Sequence, residues 1–242
     1  MLICNLLLLL LSHQIQSLIK RKRSKRMLNV VCVRTGQKYS PEYVYKLKSM
    51  VERHLKQEHK FYCITENPVQ VQGVETIPAP IQIADSWAKI GLFTAQLKKV
   101  ALGDKMLFLD LDVVITGSLD NLIAGKLRPK KDKDGIREKN TDLWIVDDWH
   151  DPFNSSVMYW EHGARTEIYA AFKPSDIQRL RGDQNLIAEI APDARTFKKG
   201  EVLSYKFDHV KDKPKKAKIV LFHGKPKMTD LPDVEWIKKE WN

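Results

Sequence analysis

The chain has 242 residues, of which 43% are hydrophobic and 29% are charged, and its mean hydropathy is -0.38. This length and balance suit one globular domain of ordinary size, and they exclude an intrinsically disordered chain and a multi-spanning membrane protein. The 41 basic and 30 acidic residues give a formal net charge of +11. A charge of this sign raises the question of a nucleic-acid partner.

The excess positive charge is concentrated in three polar segments. Residues 20–26, 128–139 and 211–218 carry a net charge of +13 between them, so the rest of the chain carries -2. None of the three segments contains an aromatic residue, whereas binding of single-stranded nucleic acid combines basic side chains with aromatic ones on which bases stack. The sequence therefore predicts no nucleic-acid partner.

The first 26 residues differ from the rest of the chain. Their apolar run, residues 6–11, is shorter than the roughly 18–20 apolar residues that a spanning helix needs. The basic run follows it, whereas a secretory signal has its positive charge first. Two interpretations stay open for residues 1–26: a translated leader outside the fold, or a weak anchor that contacts the inner face of a membrane. Under both, the basic run and the three cysteines, too few for a disulfide framework, favour a cytoplasmic location for residues 27–242. We expect these residues to form a single domain.

The predicted elements begin with a strand and a helix. Residues 28–33 form a continuous, β-branched apolar run, typical of a strand that is buried on both faces. Ser40, Pro41 and Glu42 then supply an N-cap, a proline at the first helical position and an acid in the first turn. Apolar residues at helical spacing extend this helix to about Glu58.

Further strands and helices alternate along the chain. Strands are predicted at residues 60–65, 74–77, 105–115, 142–146, 155–159 and 217–222. Helices are predicted from Asp85 or Ser86 onward and at residues 166–172 and 182–189. This order indicates an α/β fold with a mainly parallel central sheet.

Two acids follow the most apolar part of the chain. Asp110 and Asp112 are two residues apart, so in a strand their carboxylates project to the same side. The carboxyl end of such a strand faces the crevice where open α/β sheets bind ligands. Buried acids are costly without a cation beside them. A divalent ion that bridges a carboxylate and a phosphate would supply this cation. The alternative is that both acids are merely solvated or cap the end of the strand.

A second chemical motif, His-Gly-Lys-Pro-Lys, follows the last predicted strand. His223 is a candidate third metal ligand, and Gly224 permits close approach of the backbone. Lys225 and Lys227 offer cations to a diphosphate. A lone histidine at a strand end is commonly structural, but this combination indicates a site for metal and phosphate together.

Five segments in the same order resemble glycosyltransferases of the GT-A fold, close to family 8 and its bacterial and phage-type relatives: SWAKIGLF, LFLDLDVVITGSLDNL, FNSSVMYW, GDQNLI and VLFHGKPKM. The resemblance covers about residues 28–230. It implies a GT-A-like, Rossmann-like domain with a mixed, mainly parallel sheet flanked by helices. It also implies transfer of a hexosyl group from a nucleotide-diphospho-sugar, a UDP-sugar, to a glycan, lipid or protein acceptor, with Mn²⁺ or Mg²⁺ and with retention of the anomeric configuration.

The resemblance also implies roles for individual residues. The metal ligands are Asp110, Asp112 and His223. The donor-binding residues are Val33, Arg34, Thr35, Trp87, Lys89, Asp110, Ser155, Gly224 and Lys225. The residues near the reacting carbon are Asp183, Gln184 and Asn154. Simpler interpretations remain for five of these residues: core packing for Trp87, turn chemistry for Asn154 and Ser155, and a place in the N-cap region of a helix for Asp183 and Gln184. The motif at His223 is also more compact than the family's H-x-x-G-x-x-K.

A phosphohydrolase of the haloacid dehalogenase type is the alternative function. That class also places D-x-D after an apolar strand, with the first acid as nucleophile and the second as acid/base. Its motif lies in an N-terminal strand, however, whereas several predicted strands and helices precede Asp110 here. Residues 223–227 have no role in such an enzyme.

Overall fold

The computed structural model describes residues 26–83, 85–127 and 142–242. The predictions for residues 1–25 and for the basic segment 128–139 therefore lie outside the described residues. Among the residues that are described, no helix has the length and apolar character required to cross a bilayer.

Ten strands of the described residues form two sheets. They are β1 (Leu28–Val33), β2 (His59–Thr65), β3 (Thr76–Pro78), β4 (Lys105–Leu109), β5 (Val113–Ile115), β6 (Trp144–Asp147), β7 (Phe153–Glu161), β8 (Arg195–Thr196), β9 (Val202–Ser204) and β10 (Ile219–Leu221). The large sheet has the order β3-β2-β1-β4-β7-β6-β8, and within it β7 runs antiparallel to both of its neighbours while the other pairs are parallel. The small sheet has the order β5-β10-β9. The prediction of a mixed, mainly parallel sheet is confirmed.

Helices cover both faces of the large sheet. The α-helices are α1 (Pro41–His54), α2 (Leu119–Ile123), α3 (Thr166–Ala171), α4 (Asp176–Arg179), α5 (Asp183–Ile190) and α6 (Glu235–Glu240), and 3₁₀ helices span Pro68–Gln70, Asp85–Phe93 and Met228–Asp230. Alternate residues of β4 enter different cores, as the pleat of a strand requires. Leu107 and Leu109 pack with the buried face of α1, whereas Met106 and Phe108 pack with the 3₁₀ helix Asp85–Phe93. Both faces of β4 are therefore buried.

The helix that begins at Pro41 is shorter than predicted. It ends at His54, and Leu55 already has extended backbone angles. The next amides find partners outside the helix, because Lys56 N and Gln57 N both donate to the Asp120 carboxylate at 2.8 Å. A side chain from a distant segment thus stops the helix, which the local pattern does not reveal.

The apolar run at residues 105–115 is two strands and not one, so this prediction is wrong. β4 ends at Leu109 and belongs to the large sheet, whereas β5 begins at Val113 and pairs with β10 in the small sheet. The connecting residues keep one bond to each side: Asp110 N donates to Ser156 O at 2.8 Å, and Asp112 O accepts from Phe222 N at 2.8 Å. The two acids therefore lie where the chain passes from one sheet to the other.

The other predicted strands, and the helices predicted at residues 166–172 and 182–189, are present with ends that shift by no more than two residues. The segment that begins at Asp85 is a 3₁₀ helix where an α-helix was expected. The sequence pattern does not predict the short elements α2, α4, α6, β8 and β9, none of which exceeds six residues.

Candidate functional site

A cavity of about 430 Å³ lies at the carboxyl ends of β1 and β4. Segments that are distant in sequence line it: the ends of these strands, the 3₁₀ helix Asp85–Phe93, β7, the start of α5 and the segment after β10. The predicted site residues that line this cavity are Val33, Thr35, Lys89, Asp110, Asp112, Asn154, Asp183, Gln184, His223 and Gly224. An open α/β sheet places ligand sites at this edge, so the fold brings most of the predicted site together.

Four of the predicted donor-binding residues do not line the cavity: Arg34, Trp87, Ser155 and Lys225. The Arg34 guanidinium donates to Tyr39 O at 3.0 Å and to Gln70 Oε1 at 2.8 Å, so it organises the loop that follows β1. The Trp87 ring is buried in the core, with its centroid 5.7 Å from that of Phe172. For Trp87 the structure favours the core-packing interpretation.

Lys89 is the centre of a buried polar network. Its ammonium donates to Ser155 Oγ at 2.7 Å and lies 3.3 Å from Asp183 Oδ2 and 3.4 Å from Asp110 Oδ2. Burial alone would lower the pKa of Lys89, but the two carboxylates outweigh it and the pKa is raised. Burial raises the pKa of Asp110, and Lys89 opposes that rise. The network therefore holds a charged lysine between two acids.

Ser155 and Asp183 complete this network. The Ser155 hydroxyl is buried behind the cavity wall, and it donates to Asp183 Oδ2 at 2.7 Å. Asp183 is the first residue of α5, and Gly182 occupies the N-cap position without a side-chain cap. The Asp183 carboxylate binds inward to Ser155 and Lys89. Asp183 therefore lies in the N-cap region of α5, as the simpler interpretation expects, but Gly182 is the N-cap residue itself.

Gln184 and Asn154 lie at the same wall of the cavity. The Gln184 side-chain amide donates to Asp151 Oδ2 at 3.0 Å. Asn154 is buried on β7, and its Oδ1 atom accepts from Ser156 N at 3.0 Å. Both side chains are thus oriented by neighbours, and both remain in contact with the cavity.

Two hydrogen-bond donors contact the Asp112 carboxylate, and neither contact is predicted from the sequence. Its Oδ2 atom accepts from the Tyr39 hydroxyl at 2.8 Å and contacts the ammonium of Lys227. Burial and the charge of Asp112 raise the pKa of Tyr39, so its hydroxyl keeps its proton and acts as donor. Tyr39 comes from the loop after β1, where no motif marks it.

Lys225 and Lys227 occupy different environments. The Lys225 side chain is 78% exposed and pairs with Asp230 at 2.9 Å, outside the cavity lining. The Lys227 side chain is 12% exposed, and its ammonium also donates to Phe222 O at 2.7 Å. Lys227, and not Lys225, therefore lines the cavity.

His223 is half-buried at the far side of the cavity. Its Nε2 atom lies 2.9 Å from Ser204 Oγ, and its ring stacks on Trp149 with centroids 5.5 Å apart. Burial lowers the pKa of His223, although Asp148 and Asp112 oppose this effect. The imidazole is therefore neutral at pH 7.

The predicted metal ligands do not form a metal site in this arrangement. Within the described ranges, no group of three or more His, Cys, Asp or Glu side chains is placed to hold a metal ion. Asp110 faces Lys89, Asp112 faces Tyr39 and Lys227, and His223 faces Ser204. Ammonium and hydroxyl donors thus contact the Oδ2 atom of each carboxylate, at positions where a divalent ion would bind.

The rim of the cavity contains aromatic residues that no motif in the sequence marks. His150 and Phe207 both line the cavity, and their rings meet edge to face with centroids 4.7 Å apart. The Trp149 ring stacks on the Phe207 ring, with centroids 6.0 Å apart. In the sequence, only the adjacency of Trp149 and His150 indicates such a cluster.

Solved structures of sugar-transferring enzymes resemble this chain. The galactosyltransferase LgtC, in a complex with donor and acceptor sugar analogues, is 13% identical, with a TM-score of 0.60 over 87% of this chain and 94% of that chain. An active-site mutant of LgtC gives 13% identity and a TM-score of 0.56 over the same shares. The bifunctional glycosyltransferase WbbM is 12% identical, with a TM-score of 0.54 over 90% of this chain and 52% of that chain.

Sequence comparisons add no relative. No protein-family model matches the chain, and no curated protein matches it. At 12–13% identity the structural likeness is a likeness of fold. The chain therefore has the GT-A-like α/β fold that its motifs predict.

Proposed function

We propose that the protein is a glycosyltransferase that moves a hexosyl group from a UDP-sugar to a hydroxyl group of a glycan, lipid or protein acceptor, with retention of configuration. One observation carries the proposal: a single cavity collects Asp110, Asp112, Asp183, Gln184 and the segment after β10. This cavity lies in a fold shared with LgtC, which was solved with donor and acceptor sugar analogues.

The nucleoside end of the donor is assigned to the loop after β1. Val33 and Thr35 line the cavity at the end of this strand. Thr35 is 8% exposed, and its hydroxyl makes no hydrogen bond among the described residues. A buried hydroxyl without a partner costs free energy, and a ribose or base atom would supply that partner.

The diphosphate is assigned to Lys227 and the backbone at Gly224. Gly224 has φ of +76°, a conformation that favours glycine. As the bond between the sugar and the diphosphate breaks, negative charge grows on the leaving oxygen, and an ammonium nearby stabilises it. The acceptor oxygen forms the new bond to the sugar carbon, and its proton is released to the leaving diphosphate.

The sugar is assigned to the wall formed by Asp183, Gln184 and Asn154. The Asp183 carboxylate is held by Lys89 and Ser155, so it is oriented before a donor arrives. Such preorganisation lowers the cost of holding a reactive geometry. Asp183 and Gln184 are the residues that we propose to contact the reacting carbon's substituents.

No step of this mechanism passes through Mn²⁺ or Mg²⁺, because the predicted ligands face protein donors. The phosphohydrolase alternative is not proposed, since a nucleophilic Asp110 would have to leave its contact with Lys89 and the segment at Lys227 would have no role. A cytoplasmic location and membrane contact through residues 1–26 stay predictions.

A thermal-shift screen tests the proposal. Nucleotide-sugars are added singly to the full chain, in EDTA and in MnCl₂, and the melting temperature is followed. A ligand at about 100 times its Kd stabilises the native state by about 2.7 kcal/mol, so we expect one UDP-sugar to raise the melting temperature clearly. Transfer of its labelled sugar to simple glycoside acceptors then completes the test. Hydrolysis of p-nitrophenyl phosphate without any response to nucleotide-sugars would overturn the proposal.

A further inference from the structure

We infer that the ammonium of Lys227 occupies the cation position at Asp112, so that a nucleoside diphosphate binds this cavity without a divalent metal. This inference rests on the proposed function. It replaces the metal dependence expected from the sequence with a cation that belongs to the chain.

The first support is the position of the Lys227 side chain. It is 12% exposed, contacts Asp112 Oδ2 and donates to Phe222 O at 2.7 Å. An ammonium has three donor hydrogens, so one remains for a ligand in the cavity that Lys227 lines. The Lys227 ammonium thus has two acceptors in the protein and one hydrogen left for a ligand.

The second support is that the backbone fixes Lys227 in this position. Lys227 N and Lys225 Nζ both donate to Asp230 Oδ2, at 2.8 and 2.9 Å. Asp230 thereby fixes the backbone of the segment after Gly224 and holds the Lys225 side chain outside the cavity. Lys227 is thus held inward by its own backbone, unlike an exposed lysine that samples many rotamers.

The third support is the balance of charge in the cavity. The other buried ammonium in the cavity lining, that of Lys89, is committed to Asp110, Asp183 and Ser155. Asp112 is 7% exposed, and Lys227 is the cation in contact with it among the described residues. A buried carboxylate without a cation is costly, so Lys227 cannot leave without a replacement.

A metal ion at Asp112 Oδ2 would have to displace Lys227. Two cations at one carboxylate oxygen repel each other, so metal and ammonium compete for the same atom. A diphosphate, in contrast, adds negative charge beside a cation that is already in place, and charge-assisted hydrogen bonds form at once. The geometry therefore favours binding of the diphosphate to the metal-free protein.

Isothermal titration of UDP, GDP, ADP and dTDP tests the inference, in EDTA and in MnCl₂. The proteins are the wild type, Lys227→Met and the matched control Lys225→Met. We expect one diphosphate to bind the wild type equally in both buffers. Lys227→Met should weaken this binding about tenfold in EDTA, which corresponds to about 1.4 kcal/mol, and Lys225→Met should leave it within twofold.

Binding of Mn²⁺ alone, followed by electron paramagnetic resonance, gives a readout independent of nucleotides. Lys227→Met should bind Mn²⁺ more tightly than the wild type, because Asp112 is released, and Mn²⁺ should restore part of its affinity for the diphosphate. Wild-type binding that disappears in EDTA would overturn the inference and leave the proposed function intact. The comparison of the two buffers uses the wild type only, so it tests the inference even if Lys227→Met does not fold. An absence of diphosphate binding in both buffers would contradict the proposed function itself.

Discussion

The hydroxyl of Ser155 donates a hydrogen bond to the buried carboxylate of Asp183 over 2.7 Å. The resemblance implies that Ser155 contacts the donor, but its side chain lies behind the residues that line the cavity. Its contacts are those of a positioning residue: it accepts from Lys89 at 2.7 Å and passes a hydrogen bond on to Asp183. Removal of this hydroxyl should therefore disturb both partners.

We expect Ser155→Ala to lower the free energy of unfolding by about 1–3 kcal/mol, because two buried polar partners lose a hydrogen bond. It should also reduce kcat more than it raises KM, since Asp183 loses its orientation. Urea denaturation and initial rates measure the two effects. Ser175→Ala is the control, because Ser175 is exposed and its side chain caps no helix. An unchanged kcat would show that Ser155 does not position Asp183.

We expect Lys89→Met to be more damaging. It leaves Asp110 and Asp183 buried without their ammonium, a loss of about 3–5 kcal/mol for one partner of a buried ion pair. Burial already raises the pKa of Asp110, and loss of Lys89 raises it further. The folded variant then holds a proton more tightly than the unfolded chain, so its stability deficit against the wild type should shrink as the pH falls from 7 to 5. Urea denaturation at several pH values checks this, and a constant deficit would contradict it.

Thr35→Val separates ligand binding from stability. Valine has the shape of threonine, and the Thr35 hydroxyl has no partner among the described residues, so the stability of the free protein should stay the same or rise slightly. If the hydroxyl bonds the nucleoside, donor affinity should fall by about 0.5–1.5 kcal/mol. Calorimetric titration and thermal unfolding of the same samples give both quantities. Equal donor affinity in both proteins would place the nucleoside elsewhere.

Stability should decline in mild acid because of buried histidines. His162 is 3% exposed, its ring nitrogens have no hydrogen-bond partner in the described residues, and burial lowers its pKa below 6.5. The unfolded chain therefore takes up the proton first, so this contribution is complete above pH 6.5 and is lost as the pH falls through the lower folded pKa.

The variant His162→Leu should make unfolding free energy less dependent on pH between 6.5 and 5. Some dependence should remain, because burial also lowers the pKa values of His54 and His223. Denaturant titrations at four or five pH values measure the slope. A slope equal to that of the wild type would assign the acid sensitivity to other groups.

Local signals in the sequence were sufficient for much of the fold. The β-branched run gives β1 at its observed bounds, and Pro41 marks the first residue of α1. The division of residues 105–115 into two strands could not be predicted, because both halves are equally apolar and they differ only in the sheet to which they belong. β5 pairs with β10, more than 100 residues away along the chain, and no local pattern encodes such a pairing.

The candidate site was predictable to a similar degree. Acids and polar residues that follow apolar strands were expected to meet where open α/β sheets bind ligands. Asp110, Asp112 and His223 do line one cavity, although His223 follows β10 of the small sheet. The choice between Lys225 and Lys227 depends on the left-handed turn at Gly224 and on Asp230, both features of three-dimensional structure. Tyr39 reaches Asp112 from a loop whose path the sequence does not specify.

The passage of the chain between its two sheets has a mechanical consequence. Asp110 follows the last residue of β4, and Lys227 lies in the segment after β10, so a ligand that contacts both bridges the large sheet to the small one. Opening of the small sheet would then expel the ligand, and a bound ligand would resist that opening. Amide hydrogens of β10, such as that of Val220, should consequently exchange more slowly when the cavity is filled, while those of the distant edge strand β3 should not change.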